Sequence, residues 1–156
     1  MFLDYETFRS IVARTPLVSI DLVIQNSREE VLLGQRLNRP AQGVWFVPGG
    51  RILKNETMDA AFSRLTREEL GKAFQRSEGR MLGVHEHFYT DSVFGELGES
   101  PDTHYVVLAY QLVLAEGEEL QPPHAQHASY RWWPLTEAQA SDEVHDNTRA
   151  YLDALR

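Results

Sequence analysis

Apolar and other side chains alternate near the start of the chain, over residues 16–26. Apolar residues fill every second position from Val18 to Ile24, and this period of two is typical of a β-strand. Helically spaced apolar residues predict a short helix over residues 4–13. Residues 30–37 repeat the strand pattern and are predicted to be the hairpin partner of the first strand.

The rest of the chain adds more strands and two main helices. We predict helices over residues 57–70 and 144–155, strands near residues 44–47, 80–89, 104–114 and 129–133, a turn at residues 48–50 and an exposed, acidic loop over residues 90–103. No repeat or long linker divides the sequence. We therefore expect one domain over residues 1–156, with an α/β (α+β) fold in which a mixed β-sheet is sandwiched between helices.

The helix predicted over residues 57–70 carries acidic side chains beside its apolar stripe. Apolar residues recur at i, i+3, i+4 and i+7 from Met58 to Leu65, and Gly71 marks the end of the helix. Glu69 lies one turn beyond Leu65, where a carboxylate is costly unless it meets a cation. Acidic groups that converge beside a glycine turn suit a hard, oxygen-liganded cation such as Mg²⁺. The alternative is an ordinary amphipathic helix with solvated charges.

Composition and charge narrow the chemistry. The chain has 156 residues, no cysteine and a net charge of −8. The absence of cysteine excludes disulfides, thiolate zinc sites and cysteine nucleophiles. The negative charge argues against nucleic acid or an acidic membrane as a partner, and an anionic substrate then needs local arginines or a divalent metal ion. With no apolar run near ~18 residues and no signal-peptide pattern, we expect a cytoplasmic protein.

A recognisable motif covers residues 49–71. Their sequence, GGRILKNETMDAAFSRLTREELG, resembles the Nudix box, a pattern of Gly, five residues, Glu, seven residues and Arg-Glu-apolar-any-Glu-Glu-any-Gly-apolar. The matching positions are Gly50, Glu56, Arg64, Glu68, Glu69 and Gly71. Leu65 stands where the box has its first Glu after Arg, and Thr66 and Lys72 replace apolar residues. Because Leu65 cannot accept a proton, any base must come from outside the helix.

A wider resemblance points to one branch of the Nudix hydrolases. It rests on the stretches TPLVSIDLVIQNS, GQRLNRPAQGVWFVPGGR, FSRLTREELG, HFYTD, THYVVLAYQL and the QH pair before YRWW. These stretches are similar to GDP-mannose mannosyl hydrolases. The resemblance implies a Nudix fold, a homodimer and one Mg²⁺ per site, for which Mn²⁺ can substitute. It also implies hydrolysis of GDP-mannose, or a related sugar such as GDP-glucose, by attack of water at sugar C1 with inversion.

The same resemblance assigns the metal site and the base. The implied metal ligands are the Gly49 carbonyl, the Glu69 carboxylate and the Gln126 amide oxygen. His127 is the implied general base, and a neutral imidazole can take a proton from water near neutral pH. Glu68 either attracts a second metal ion or pairs with Arg64, and we favour the pair.

Further side chains are implied to contact the substrate. Arg36, Arg51 and Arg64 are expected to offset its negative charge, because a guanidinium donates two parallel hydrogen bonds to phosphate. The positions implied near the sugar or diphosphate are Asp21, His87 and Tyr105, and those implied near the guanine are Phe2, Leu3 and Phe8. The structural alternatives are a solvated strand face for Asp21, an edge aromatic for Tyr105 and packing of the first helix on its own core.

Three other functions stay open. His85 and His87, at i and i+2 on one strand, raise the alternative of a zinc site. A pyrophosphohydrolase would attack phosphorus and release a nucleoside monophosphate; Leu65 counts against this activity and Glu68 counts for it. The third is a catalytically silent module that senses a nucleotide sugar.

Overall fold

The chain folds into seven strands and four α-helices within the residues that the structure describes. A computed structural model describes residues 3–37, 42–90, 92, 101–120 and 127–155, with the side chains of all of these except 127 and 128. The helices are α1 (Tyr5–Arg14), α2 (Met58–Leu70), α3 (Leu135–Ala140) and α4 (Asp146–Asp153), with a 3-10 turn at Arg76–Glu78. The strands are β1 (Leu17–Gln25), β2 (Glu30–Arg36), β3 (Trp45–Phe46), β4 (Gly49–Arg51), β5 (Arg80–Tyr89), β6 (Thr103–Val113) and β7 (His127–Pro134). The described residues contain no helix with the length and hydrophobicity of a membrane span.

The strands form one mixed sheet. Its order is β3-β2-β1-β6-β5, with β4 paired to β1 and β7 paired to β2. β1 and β6 run parallel, from Leu17 opposite Tyr105 to Gln25 opposite Val113, and the other pairs are antiparallel. The predicted hairpin of β1 and β2 is confirmed.

The alternation along β1 sends its side chains to two helical layers. Ile20 and Ile24 lie in a buried cluster with Phe62 of α2, whereas Val23 lies in a second buried cluster with Leu152 of α4. Because neighbouring strand residues point to opposite faces, α2 covers one face of the sheet and α4 the other. The predicted architecture, a mixed sheet sandwiched between helices, is confirmed.

The turn predicted at residues 48–50 is wrong, because Gly49–Arg51 form β4. Gly50 serves a close approach instead of a turn: a Cβ at this position would lie 2.5 Å from Leu65 Cδ2 of α2. The six-residue helix α3 was not predicted, since such a short segment after Pro134 shows no clear period. The predicted loop over residues 90–103 falls mainly outside the described residues.

α2 begins and ends where its sequence predicts. Thr57 precedes it, and the Thr57 side chain accepts a hydrogen bond from Ala60 N–H at 3.0 Å. Gly71 ends it in the left-handed region, with a φ of 79°. Thr66, one departure from the motif, is fully buried and its hydroxyl accepts from Phe74 N–H at 2.9 Å. The hydroxyl thus ties the helix to the segment that follows it.

Candidate functional site

Arg64 of α2 forms hydrogen bonds with residues near both ends of the motif, residues 49–71. Its guanidinium donates to Glu56 from Nε at 2.7 Å and from a terminal nitrogen at 3.0 Å. It also donates to Glu68 at 3.0 Å and to the Arg51 carbonyl at 2.8 Å. The hydrogen bonds from Arg64 lower the pKa of Glu56. The structure therefore contains the favoured Glu68–Arg64 pair, and it gives Arg64 protein partners where the resemblance implied substrate phosphate.

Replacing Arg64 by lysine tests this set of contacts. Arg64→Lys is expected to lower the free energy of unfolding by about 1–3 kcal/mol, because one ammonium cannot reproduce the fork to Glu56 and the Arg51 carbonyl together. Chemical denaturation measures the change. Arg67→Lys is the matched control, since Arg67 is exposed on the same helix. Equal stability of the two variants would show that the Arg64 contacts contribute nothing.

Glu69 is buried near the carboxyl end of α2. It is 2% exposed, and Tyr130 of β7 donates to its Oε2 at 3.0 Å. Burial and the Glu69 carboxylate raise the pKa of Tyr130, so the hydroxyl stays protonated and donates. The neighbouring Glu68 side chain is 44% exposed. Of the two successive carboxylates, Glu69 is therefore the one whose charge needs a cation or hydrogen-bond donors inside the protein.

Gly49 is the first residue of β4, where this strand pairs with β1. Asp21 is opposite Gly49 in the register, and Leu22 N–H donates to the Pro48 carbonyl at 2.8 Å. Hydrogen-bonded and non-hydrogen-bonded pairs alternate in an antiparallel ladder. Asp21 and Gly49 are therefore a non-hydrogen-bonded pair, and the Gly49 carbonyl points away from β1, as a metal ligand requires.

The chemistry of the implied metal ligands fits a hard cation. Across the part of the chain that the structure describes, no group of three or more His, Cys, Asp or Glu side chains converges to hold a metal. A metal site here therefore rests on one buried carboxylate and neutral oxygens, which Mg²⁺ accepts together with water and phosphate. Glu69 and the Gly49 carbonyl supply one donor of each kind. Gln126, the third implied ligand, lies outside the described residues.

On the α4 face of the sheet, Tyr151 joins Asp21 and His87. Tyr151 Oη donates to Asp21 Oδ2 at 2.8 Å and lies 3.2 Å from His87 Nε2. Burial raises the pKa of Asp21 to about 6. Burial also lowers the pKa of His87 to about 4, and the charges of His85 and His145 add to that shift. Near pH 7 this cluster therefore holds a carboxylate and a neutral imidazole.

Tyr105 and Arg36 complete the polar cluster. Tyr105 lies opposite His87 in the register of β5 and β6, and its ring centre is 6.2 Å from that of Tyr89. Burial raises the pKa of Tyr105, whereas the positive charge of Arg36 acts to lower the pKa of both Tyr105 and Asp21. The structure thus brings together four residues predicted to contact the sugar or diphosphate: Asp21, Arg36, His87 and Tyr105.

Arg51 and the predicted guanine contacts meet at α1. The Arg51 guanidinium lies 5.0 Å from the centre of the Phe8 ring, which is within cation–π range. Leu3 is half-buried just before α1, and Phe2 lies outside the described residues. Both base binding and packing of the helix on its own domain explain the Phe8 contact, so its role in binding guanine stays a prediction.

The predicted base is the first residue of β7. The backbone of His127 pairs with that of Arg36, and its side chain lies outside the described residues. The predicted base therefore belongs to β7, the strand that pairs with β2. The alternative zinc site gains no support: the His85 and His87 rings are 6.4 Å apart, and among the described side chains they join no third ligand.

Comparisons with known proteins identify the family. The model of the NUDIX domain matches residues 15–155. The chain belongs to the Nudix family. Its sequence is 40% identical over 151 residues to the "Low-salt glycan biosynthesis protein Agl8" of Haloferax volcanii. The alignment covers 96% of this chain and 88% of that protein.

Solved Nudix structures share the fold. The MutT NUDIX hydrolase from Burkholderia pseudomallei matches with a TM-score of 0.70 and 26% identity, over 92% of this chain and 100% of that one. The NUDIX domain of Shewanella oneidensis NrtR, complexed with ADP ribose, matches with a TM-score of 0.68 and 20% identity, over 97% of this chain and 90% of that one. The protein is therefore a Nudix hydrolase by family and fold, and Nudix hydrolases generally use divalent metal ions such as Mg²⁺.

Two tyrosines of this Nudix site were not predicted. The sequence alone gave neither Tyr130 nor Tyr151 a role in the site. Both hydroxyls bind a carboxylate, Tyr151 that of Asp21 and Tyr130 that of Glu69. Only a general rule could have pointed to these tyrosines from the sequence: the hydroxyl of a buried tyrosine needs a hydrogen-bond partner.

Proposed function

We propose that this Nudix hydrolase cleaves a nucleoside-diphosphate sugar, with GDP-mannose as the first substrate to test, into GDP and free sugar. The observation that carries the proposal is the pairing of Asp21 with Gly49. It joins Gly49, one of the candidate metal ligands, to the polar cluster on the α4 face. A diphosphate near Gly49 and a sugar near Asp21 would put the bond between them at this junction. The name of the Haloferax relative, a glycan biosynthesis protein, agrees with a sugar nucleotide.

The diphosphate end would be held by oxygens and guanidinium groups. Glu69, the Gly49 carbonyl and Gln126 would hold Mg²⁺ or Mn²⁺, which when bound stabilises negative charge on the departing diphosphate. Arg36 and Arg51 would donate hydrogen bonds to phosphate oxygens. These positive charges locally offset a chain whose net charge is −8.

The sugar end would be the site of reaction. Water attacks C1 from the face opposite the diphosphate, and the bond from C1 to the diphosphate oxygen breaks with its electron pair on that oxygen. His127 takes the proton of the attacking water. The Asp21 carboxylate stabilises the positive charge that develops on the sugar ring. Leu65 is buried against Gly50 and carries no acid, which supports a base on β7 over one at this position of α2. The homodimer implied by the resemblance and the cytoplasmic location stay predictions.

Isotope labelling decides which atom is attacked. Incubation with GDP-mannose and Mg²⁺ in ¹⁸O-water is expected to put the label in the released sugar, which NMR first detects as the β-anomer. ADP-ribose is the matched control, because its ribose is attached through C5 and it has no bond between a sugar C1 and the diphosphate. Label in a nucleotide phosphate, or AMP from ADP-ribose, would mean attack at phosphorus. No product from any nucleotide sugar would mean a binding module.

A further inference from the structure

The contact among Asp21, Tyr151 and His87 fixes the positions of its protons. Tyr151 has one hydroxyl proton, and it donates this proton to Asp21 Oδ2 at 2.8 Å. The 3.2 Å contact between Tyr151 Oη and His87 Nε2 is then a hydrogen bond only if Nε2 carries a proton. In a neutral imidazole, the second nitrogen is then without a proton. Tyr151 thus leaves Nδ1 of His87 as the nitrogen that can accept a hydrogen bond.

The same hydroxyl sets the orientation of the Asp21 carboxylate. One oxygen, Oδ2, binds Tyr151, and the other, Oδ1, faces Gly49, where an added Cβ would lie 2.8 Å from it. Tyr151 is itself held in place: it is 1% exposed, and the His85 ring packs edge-on against it with 4.9 Å between ring centres. The Tyr151 hydroxyl on α4 therefore determines the orientation of the Asp21 carboxylate and of the His87 imidazole.

We propose that Tyr151 is a positioning residue for sugar recognition, which orients the Asp21 carboxylate beside Gly49 and holds His87 with its proton on Nε2. The inference rests on the proposed function, because it takes the sugar to bind at Asp21 and His87. A sugar hydroxyl is both a donor and an acceptor, so its recognition depends on which atoms of the site accept. Tyr151 decides this for both residues while its own hydroxyl is used within the protein.

Tyr151→Phe removes the hydroxyl and keeps the ring. The variant is expected to lower kcat/KM for the nucleotide sugar about tenfold, the loss that corresponds to one well-formed hydrogen bond. The inhibition constant of the free nucleoside diphosphate, which lacks the sugar, is expected to change less than about twofold. Tyr110→Phe is the matched control, since Tyr110 is 3% exposed and its hydroxyl accepts from Arg76 at 3.3 Å in the core on the α2 side. This control should change neither constant.

A second measurement needs no substrate. ¹⁵N NMR of the wild-type protein should show His87 as the tautomer protonated on Nε2, and Tyr151→Phe should shift the ring toward the other tautomer. An unchanged tautomer in Tyr151→Phe would overturn the inference. So would equal losses of sugar-nucleotide turnover and diphosphate binding, because these would indicate general loosening of the site. If the wild-type enzyme hydrolyses no nucleotide sugar, the proposed function fails, while the ¹⁵N spectra still decide whether Tyr151 orders the pair.

Discussion

Glu69→Gln is expected to lower kcat/KM by about 10³-fold, whereas Glu68→Gln should lower it less than about tenfold. The larger figure corresponds to the several kcal/mol of charge stabilisation that a bound metal ion supplies. Glu69 is 2% exposed, while the Glu68 side chain is 44% exposed and paired with Arg64. The substitution removes the charge of a buried carboxylate and keeps the size and shape of the side chain.

The two glutamates form a matched pair for the measurement. They are adjacent on α2, and each change removes one negative charge without altering volume. Titration with Mn²⁺ followed by electron paramagnetic resonance should show weaker metal binding in Glu69→Gln and near-normal binding in Glu68→Gln. Thermal unfolding without metal controls for loss of the Tyr130 hydrogen bond to Glu69. Equal loss of metal affinity in both variants would mean that Glu68 is also a ligand and that the metal site has two carboxylates instead of one.

Local patterns predicted most of the fold because each depends on neighbouring residues. The period of two along β1 predicted its two faces, and the structure places Ile20 and Val23 in separate buried clusters. The spacing of apolar residues, with Gly71 as the stop, predicted a helix over residues 57–70, and α2 spans Met58–Leu70. The turn predicted from Pro-Gly-Gly was wrong, because glycine is used both in turns and at close approaches of the backbone. Only the packing against Leu65 shows that Gly50 serves a close approach.

The candidate site was harder to predict because it depends on contacts between distant parts of the chain. Asp21 and Tyr151 are 130 positions apart in sequence, and no spacing rule relates them. The family resemblance named Asp21 and His87 individually. The Tyr151 hydroxyl contacts both of them only because α4 packs on the sheet. Arg64 shows the converse: its position in the motif suggested phosphate, and its partners are Glu56, Glu68 and the Arg51 carbonyl.

Gly49 is the point where the two halves of the site depend on one another. A Cβ at this position would lie 2.3 Å from the Ile20 carbonyl oxygen and 3.1 Å from Asp21 Cα. Both are backbone atoms of β1, so no side chain can rotate to make room. Adding a methyl group must therefore move β4 away from β1, which separates the Gly49 carbonyl from the Asp21 carboxylate.

Gly49→Ala is consequently expected to lower kcat/KM by about 10²-fold, the order of loss that a 1 Å misplacement of reacting groups causes. Overpacking should also lower the free energy of unfolding by about 1–3 kcal/mol. Gly79→Ala is the matched control, because its Cβ would meet Phe62 Cζ at 3.2 Å and the Gln111 carbonyl oxygen at 3.3 Å, next to the core on the α2 side. Steady-state kinetics and chemical denaturation should show some destabilisation in both variants but a large loss of turnover in Gly49→Ala alone. Wild-type turnover in folded Gly49→Ala would mean that neither the carbonyl nor the β1–β4 spacing matters to the reaction.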